Sequence, residues 1–254
     1  MASISTTSLT LGCHFGKGRP LVEAGCPAYD DGMRLLGVTD LHDRPKALER
    51  ILADAGNVDL ILLGGDITNF GLPDDAQRLV GQARLSGTPV LAVAGNCDSA
   101  AIDRRLVEMG VSLHGRGVVH SGLRIQGLSA MPPWRSSMYQ FTEQELAEFL
   151  RVGAEILQEG AELDGEGVHV VLSHPPPRGG RLDRTRLLKH VGSTALQNFI
   201  ATAQPSLVVC GHIHEGRGID HFGPTTVVNC GLAASGYYAL AEVGEEVKVE
   251  LRRA

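Results

Sequence analysis

One short apolar segment that stops at two glycines and a carboxylate constrains the fold of this chain most. Residues 58–63 form an apolar run interrupted only by Asp59, and Gly64, Gly65 and Asp66 follow. A run of this length is typical of a strand buried on both faces, and the glycines permit a loop in which ligands approach the backbone. Binding sites of open α/β sheets are built at the carboxyl ends of the strands. The sequence therefore predicts that Asp66 lies at such an edge.

The segments on either side of this strand repeat its pattern. The predicted elements are a strand at 33–38, a helix at 44–55, the strand that leads to Asp66, a helix from Pro73 toward Gly87 and a strand at 89–94. Asp40 and His42 follow the first of these strands, and Asn96 follows the third. Because residues two apart on an extended backbone point to the same side, we expect Asp40 and His42 to converge on one ion.

The second half of the chain continues with strands and helices, and its strands end at histidines. The predicted elements are a hairpin at 118–129 with a turn at Ser121-Gly122, a helix behind a capping box at 142–145, a strand at 168–173, a helix at 193–203, a strand at 206–210 and a strand-rich stretch at 225–252. His174 follows the first of these single strands, and His212 and His214 follow the second. Asp98 is expected to cap the helix that begins near Ser99.

All of these elements fit one domain at residues 33–254. Residues 1–32 show neither helical nor strand periodicity, so we predict an irregular N-terminal extension, either a true arm or a misassigned start. No apolar run approaches the ~20 residues that span a bilayer, so no membrane contact is expected. The net charge of −6 argues against a broad nucleic-acid surface and favours a small phosphate-ester substrate as the partner. The oligomeric state has no signature in the sequence.

The cysteines indicate the compartment. Their number is odd and none forms a Cys-x-x-Cys pair; they are Cys13, Cys26, Cys97, Cys210 and Cys230. Widely spaced cysteines of this kind fit reduced thiols better than a disulfide framework. Residues 1–11 lack the positive and apolar regions of a secretory signal. We therefore expect a cytoplasmic protein.

The polar residues at the strand ends form a candidate metal site. They are Asp40, His42, Asp66, Asn96, His174, His212 and His214. Carboxylates, imidazoles and an amide oxygen suit Mn²⁺, Fe²⁺, Ni²⁺ or Zn²⁺, with Mn²⁺ favoured. Seven ligands exceed the needs of one tetrahedral ion, whereas two ions bridged by Asp66 use them well. Two such ions can hold a hydroxide between them for in-line attack on a phosphate ester.

The order of these motifs resembles that of the calcineurin-like metallophosphoesterase superfamily. The blocks are Asp40-Leu41-His42, Gly65-Asp66, Gly95-Asn96, His174-Pro175-Pro176 and Gly211-His212-Ile213-His214, and they look most like those of the Icc-related predicted phosphoesterases. The resemblance implies a four-layer αββα sandwich of the α/β class. It also implies that one ion takes Asp40, His42, Asp66 and His214, and that the other takes Asp66, Asn96, His174 and His212.

One block departs from the commonest pattern of that family. The resemblance leads us to expect Gly-Asn-His followed by an acid, in which the His protonates the leaving group, whereas this chain has Cys97. A thiol is a poor substitute for a cationic imidazole. We interpret Cys97 as a small packed residue rather than a nucleophile or a ligand.

Two further residues leave alternatives open. His190 is interpreted as a solvated or capping histidine, although its loop could face the phosphate and give it a catalytic role beside Asn96. Trp134 is interpreted as a packed loop anchor rather than a cleft wall that contacts substrate. His14, His114, His120, His169 and His221 stand outside the motifs with ligand spacing and are interpreted as structural.

The sequence thus predicts a metal-dependent phosphoesterase that favours phosphodiesters, since a less basic leaving group depends less on the missing acid. The alternatives are a phosphomonoesterase and a non-catalytic or weakly catalytic metal-binding scaffold of the same fold. A scaffold that had lost turnover would be expected to have lost ligands, and none of the seven is missing.

Overall fold

The computed structural model describes residues 32–159 and 167–254. The predicted irregular extension at 1–32 lies, apart from Gly32, outside these residues, so the domain boundary stays a prediction. Cys13, Cys26 and His14 lie outside them as well. Within the described ranges, no helix is both long and apolar enough to cross a membrane.

The first of two sheets is built from both ends of the chain, in the strand order β11-β10-β1-β2-β3. Its strands are β1 (Met33–Val38), β2 (Leu60–Gly64), β3 (Val90–Val93), β10 (Tyr237–Val243) and β11 (Val247–Arg253). The first three are parallel, and the last two are added antiparallel. Three helices pack against the outer face of this sheet: α1 (Pro45–Ala55), α2 (Pro73–Arg84) and α3 (Ala100–Glu108).

The second sheet has the strand order β4-β5-β6-β7-β9-β8. Its strands are β4 (Gly117–His120), β5 (Leu123–Leu128), β6 (His169–Ser173), β7 (Leu207–Cys210), β8 (Gly218–Phe222) and β9 (Thr225–Asn229). The helices α4 (Glu143–Glu159) and α5 (Thr194–Ala203) cover its outer face. The central strands β5, β6, β7 and β9 are parallel, and antiparallel strands close both edges.

Three separate apolar clusters show that the molecule has four layers. One lies between the sheets and contains Leu62 from the first and Leu172 from the second, both fully buried. The other two lie between each sheet and its helices; Leu48 and Leu196 are examples. Apolar residues on both faces explain the continuous hydrophobic runs of β2 and β6. The predicted αββα sandwich is confirmed.

The parallel register brings the carboxyl ends of the central strands to one edge. Gly64 of β2 pairs with Val93 of β3, and Cys210 of β7 pairs with Asn229 of β9. The two sheets also meet at this edge, where His174 Nδ1 lies 3.0 Å from the carbonyl oxygen of Gly64. Side chains that follow β1, β2, β3, β6 and β7 are therefore delivered to one place.

The predicted hairpin turn and capping box agree with the structure, whereas one strand was not predicted. Ser121 and Gly122 turn the β4–β5 hairpin with φ of 46° and 79°, as a tight hairpin turn requires. The capping box is present, since Thr142 Oγ1 accepts from Glu145 N and Glu145 Oε2 accepts from Thr142 N. The sequence did not predict β8, a short edge strand that pairs with β9 alone. Its residues are only partly buried, so it lacks an apolar pattern.

Candidate metal centre

The first half of the centre is formed by Asp40, His42 and His214. Asp40 is fully buried, and its Oδ1 lies 3.3 Å from Nε2 of His214. The backbone N–H of His212 donates to Asp40 Oδ2 at 3.0 Å. Burial acts to raise the pKa of Asp40, but interactions with the neighbouring histidines, chiefly the hydrogen bond with His214, outweigh it and lower that pKa to about 2. Asp40 is therefore an anion that can bind a cation.

Asp40 and His42 converge, but not for the reason that the sequence suggested. Their φ angles are 59° and 45°, so both lie in the left-handed region and the backbone turns instead of staying extended. The expectation of an extended segment is wrong. Hydrogen bonds from Asp40 N to Gly65 O and from His42 N to Asp66 O, at 3.0 and 2.9 Å, hold this turn against the loop after β2. Strain of this kind is typical of functional sites.

Asp66 lies between two imidazoles. Its Oδ2 is 3.7 Å from His42 Nε2, and its Oδ1 is 3.5 Å from His174 Nε2. The side chain is almost fully buried, and Cys97 N donates to Oδ1 at 2.7 Å. Burial, together with the charges of Asp40 and Asp98, raises the pKa of Asp66 well above its usual range. Asp66 therefore brings one carboxylate oxygen close to each of two histidines from different sheets.

His174 and Asn96 form the second half. His174 Nδ1 faces the carbonyl oxygen of Gly64, which can only accept, so this nitrogen carries the proton. Nε2 of the ring lies 2.8 Å from Asn96 Oδ1, a second acceptor. The amide nitrogen of Asn96 faces Cys97 Sγ and Met138 Sδ at 3.3 and 3.6 Å, which is consistent with this orientation.

Two acceptor atoms at this distance have the spacing of two ligands of one cation. His174 is fully buried, and burial lowers its pKa, so the ring is neutral at pH 7 and offers a lone pair at Nε2. A proton does not resolve the contact under these conditions, whereas a metal ion bound to both atoms does.

His212 completes this half from the second sheet. Its ring lies edge-on to that of His174, with 5.0 Å between centroids. Burial lowers its pKa to about 3, so the ring is neutral and able to coordinate. Its φ of 66° is left-handed, like those of Asp40, His42 and Asp66.

The residues present fit divalent cations. Metal bonds of about 2.1 Å place two ligand atoms of one ion roughly 3.0 to 3.4 Å apart. The contacts of Asp40 with His214, Asp66 with His42 and His174, and Asn96 with His174 span 2.8 to 3.7 Å. Nδ1 of His42 is buried and has no hydrogen-bond partner among the described residues. Ligand atoms of Asp40, Asp66 and His174 all lie within 4.8 Å of one another, as do those of Asp40, His42 and His214.

Cys97 is buried beside these ligands, with 8% of its surface exposed. Burial and the charge of Asp66 raise the pKa of the thiol, so it is protonated at neutral pH and is not a ready nucleophile. This agrees with the prediction of a packed residue. Its sulfur nevertheless lies within 4.8 Å of ligand atoms of His42 and Asp66, which the sequence could not indicate.

Asp98 does not cap α3, contrary to the prediction. Ser99 is the cap, and its Oγ accepts from Ile102 N. Asp98 is instead buried between two loops, where its carboxylate accepts from Ile67 N, Gly95 N and both the N–H and the hydroxyl of Thr68. Burial raises its pKa to about 6. Asp98 thus ties the loop after β2 to the loop after β3 and holds Asp66 next to Asn96.

His190 is half-buried and paired with a carboxylate, and it does not cap a helix. Its Nδ1 lies 2.7 Å from Oδ1 of Asp183, a fully buried carboxylate whose Oδ2 accepts from Gly179 N and Gly192 N. The same loop contacts Glu215, the neighbour of His214 in the sequence, because Arg186 N donates to Glu215 Oε1. A buried acid therefore orients this imidazole in a loop beside the metal centre.

Trp134 is not a packed anchor, and that interpretation is wrong. Its side chain is 53% exposed, and its ring lies edge-on to that of His212 with 6.0 Å between centroids. The ring is a partly open aromatic surface at the edge of the centre.

Comparisons with known proteins point in the same direction as this geometry. The sequence model of the family described as calcineurin-like phosphoesterase matches residues 33–216. An uncharacterized protein of Methanocaldococcus jannaschii is 29% identical over 204 residues, which cover 78% of this chain and 87% of that protein. A probable cyclic nucleotide phosphodiesterase of Synechococcus sp. is 29% identical over 212 residues, which cover 73% of this chain and 76% of that protein. The crystal structure of the protein TT1561 of Thermus thermophilus has the same fold, with a TM-score of 0.68 at 19% identity over 87% of this chain and 99% of that one.

Replacing Gly95 tests whether metal binding depends on the close packing of Gly95 against Asp66. A Cβ at this position would overlap with the backbone nitrogen and Oδ1 of Asp66. We expect Gly95→Ala to displace Asp66 and to weaken metal binding by about 10- to 100-fold, measured as metal retained after dialysis. Gly81→Ala is the matched control, because nothing lies within 4 Å of the added methyl group in α2. Equal metal retention in both variants would contradict this description of the site.

Proposed function

This chain belongs to the calcineurin-like phosphoesterase family and is a phosphate-ester hydrolase of that family, and we propose that it cleaves phosphodiesters with two divalent cations. The proposed ligands of one ion are Asp40, His42, Asp66 and His214, and those of the other are Asp66, Asn96, His174 and His212. When bound, such ions lower the pKa of a water molecule and offset the negative charge of the phosphate oxygens.

The position of Asp66 is the observation that carries the dinuclear proposal. Each of its carboxylate oxygens faces a different imidazole, at 3.7 and 3.5 Å. The two histidines come from different sheets, since His42 follows β1 and His174 follows β6. A single ion would leave one of these contacts without a role. A carboxylate shared by two ions is the simplest arrangement in which both contacts have a role.

The leaving group of a phosphate ester needs a proton, and this limits the substrates that the site can cleave well. Cys97 lies beside Asp66 and Asn96, and burial raises the pKa of its thiol, which makes it a weak general acid. We therefore expect esters with weakly basic leaving groups, such as p-nitrophenolate, to react fastest. The name of the Synechococcus relative, a probable cyclic nucleotide phosphodiesterase, supports phosphodiesters as the substrate class.

We favour Mn²⁺ as the native metal. Fe²⁺, Ni²⁺ and Zn²⁺ are further candidates, because imidazole, carboxylate and amide ligands suit all four ions. A small ester is the proposed partner, since the net charge of −6 opposes a broad contact with nucleic acid. The described cysteines Cys97, Cys210 and Cys230 are free thiols, which supports a reducing compartment such as the cytoplasm.

Parallel assays of a diester and a monoester test this function. With added Mn²⁺, we expect hydrolysis of bis-p-nitrophenyl phosphate to exceed that of p-nitrophenyl phosphate. Asn96→Ala removes one ligand and is expected to lower diester turnover by about 100-fold or more. Leu85→Ala is the control, because Leu85 is an exposed residue after α2 at the opposite edge of the sheet. Bound metal without hydrolysis of either ester would favour a scaffold, and a faster monoester reaction would contradict the diester preference.

His190 is the residue that we expect to act on the substrate without holding metal. Because Asp183 orients its ring in the loop beside His214, His190→Ala should lower kcat by roughly 10-fold or more while the metal content stays unchanged. His221→Ala, which removes an exposed histidine of β8, serves as the control. Wild-type kcat in the His190 variant would exclude this residue from the mechanism.

A further inference from the structure

The loop between β5 and α4 lies directly over the second half of the metal centre. Tyr139 N donates to the carbonyl oxygen of Asn96 at 3.1 Å, and Met138 Sδ contacts the amide nitrogen of the same residue. Trp134 N donates to Gln140 Oε1 at 3.0 Å, which ties the tip of the loop to its base. The loop is therefore fixed to one ligand, Asn96, and presents Trp134 beside another, His212.

The exposed ring of Trp134 is unusual at such a position. Large aromatic side chains bury most of their surface in the absence of another role, and this one is 53% exposed. The guanidinium of Arg135 lies 5.4 Å from the centre of the ring. Arg135, Ser136 and Ser137 are exposed as well, so the ring has polar groups on the residues that follow it.

We propose that Trp134 is the stacking surface for a planar aromatic ring, a nucleobase by class, on the phosphodiester substrate. The proposal rests on the proposed function, since it places the phosphate at the metal ligands. A ring centroid 6.0 Å from that of His212 lies within reach of a substituent that extends from the phosphate. Arg135 adds positive charge next to the ring, which suits an anionic substrate with a π surface. Trp134 would thus determine specificity without taking part in bond cleavage.

The chain offers a direct optical test, because Trp134 is its only tryptophan. In the Zn²⁺-loaded protein, adenosine 5′-monophosphate should quench the tryptophan fluorescence in a saturable way. Ribose 5-phosphate and inorganic phosphate should inhibit diester hydrolysis but leave the emission unchanged, because they lack the base. Quenching by ribose 5-phosphate as strong as that by the nucleotide would overturn the proposal.

Two diesters with the same leaving group provide the second test. Trp134→Ala should raise the KM for thymidine 5′-(p-nitrophenyl phosphate) by roughly 5- to 100-fold and change the KM for methyl p-nitrophenyl phosphate less than about twofold. Trp134→Phe should retain most of the affinity, and Leu85→Ala should change neither KM. Equal effects of Trp134→Ala on both esters, or no effect on either, would overturn the proposal. If the wild-type protein hydrolyses neither ester, the proposed function is wrong. The fluorescence experiment still shows in that case whether Trp134 binds a nucleobase.

Discussion

Two buried carboxylates that face each other are the constraint on which the rest of the site depends. Asp40 and Asp66 are both almost fully buried, and their oxygens belong to a cluster in which ligand atoms lie within 4.8 Å of one another. At an effective dielectric constant of about 20, two such charges repel by on the order of 3 kcal/mol. This repulsion adds to burial in raising the pKa of Asp66, whereas the hydrogen bond with His214 lowers the pKa of Asp40. Divalent cations remove the conflict, which is why this arrangement favours a metal centre over a structural ion-pair network.

The fold supports these charges with backbone groups and strained turns. Asp40 accepts from His212 N, and Asp66 accepts from Cys97 N, so loops from both sheets contribute to one cluster. Four of the predicted ligands have left-handed backbone conformations. Each such conformation costs on the order of 1 to 3 kcal/mol and persists only where the surrounding structure enforces it. In this protein the strand ends and the carboxylate of Asp98 hold these residues in their left-handed conformations.

Patterns in the sequence were sufficient for most strands and helices and for the shared edge at which the predicted ligands lie, because apolar runs define strands and parallel strands share one edge, whereas the four-layer arrangement came from the resemblance to a known family. Contacts over long sequence distances were not readable from local patterns. Asp98 looked like a helix cap since it precedes α3, yet its partners Ile67 and Thr68 lie about thirty positions earlier in the chain. The turn at Asp40 and His42 depends on hydrogen bonds to the loop after β2, and β8 depends on its pairing with β9. Exposure of Trp134 depends on how the loop after β5 is fixed to Asn96.

The most direct measurement of the central claim is the number of metal ions bound per chain in the wild-type protein and in Asp66→Asn, by elemental analysis of metal-loaded and dialysed samples. A shared carboxylate predicts two ions in the wild type and weakened retention of both in the variant. One ion in the wild type, or a variant that keeps one ion at full occupancy, would contradict the account of Asp66 as the bridge.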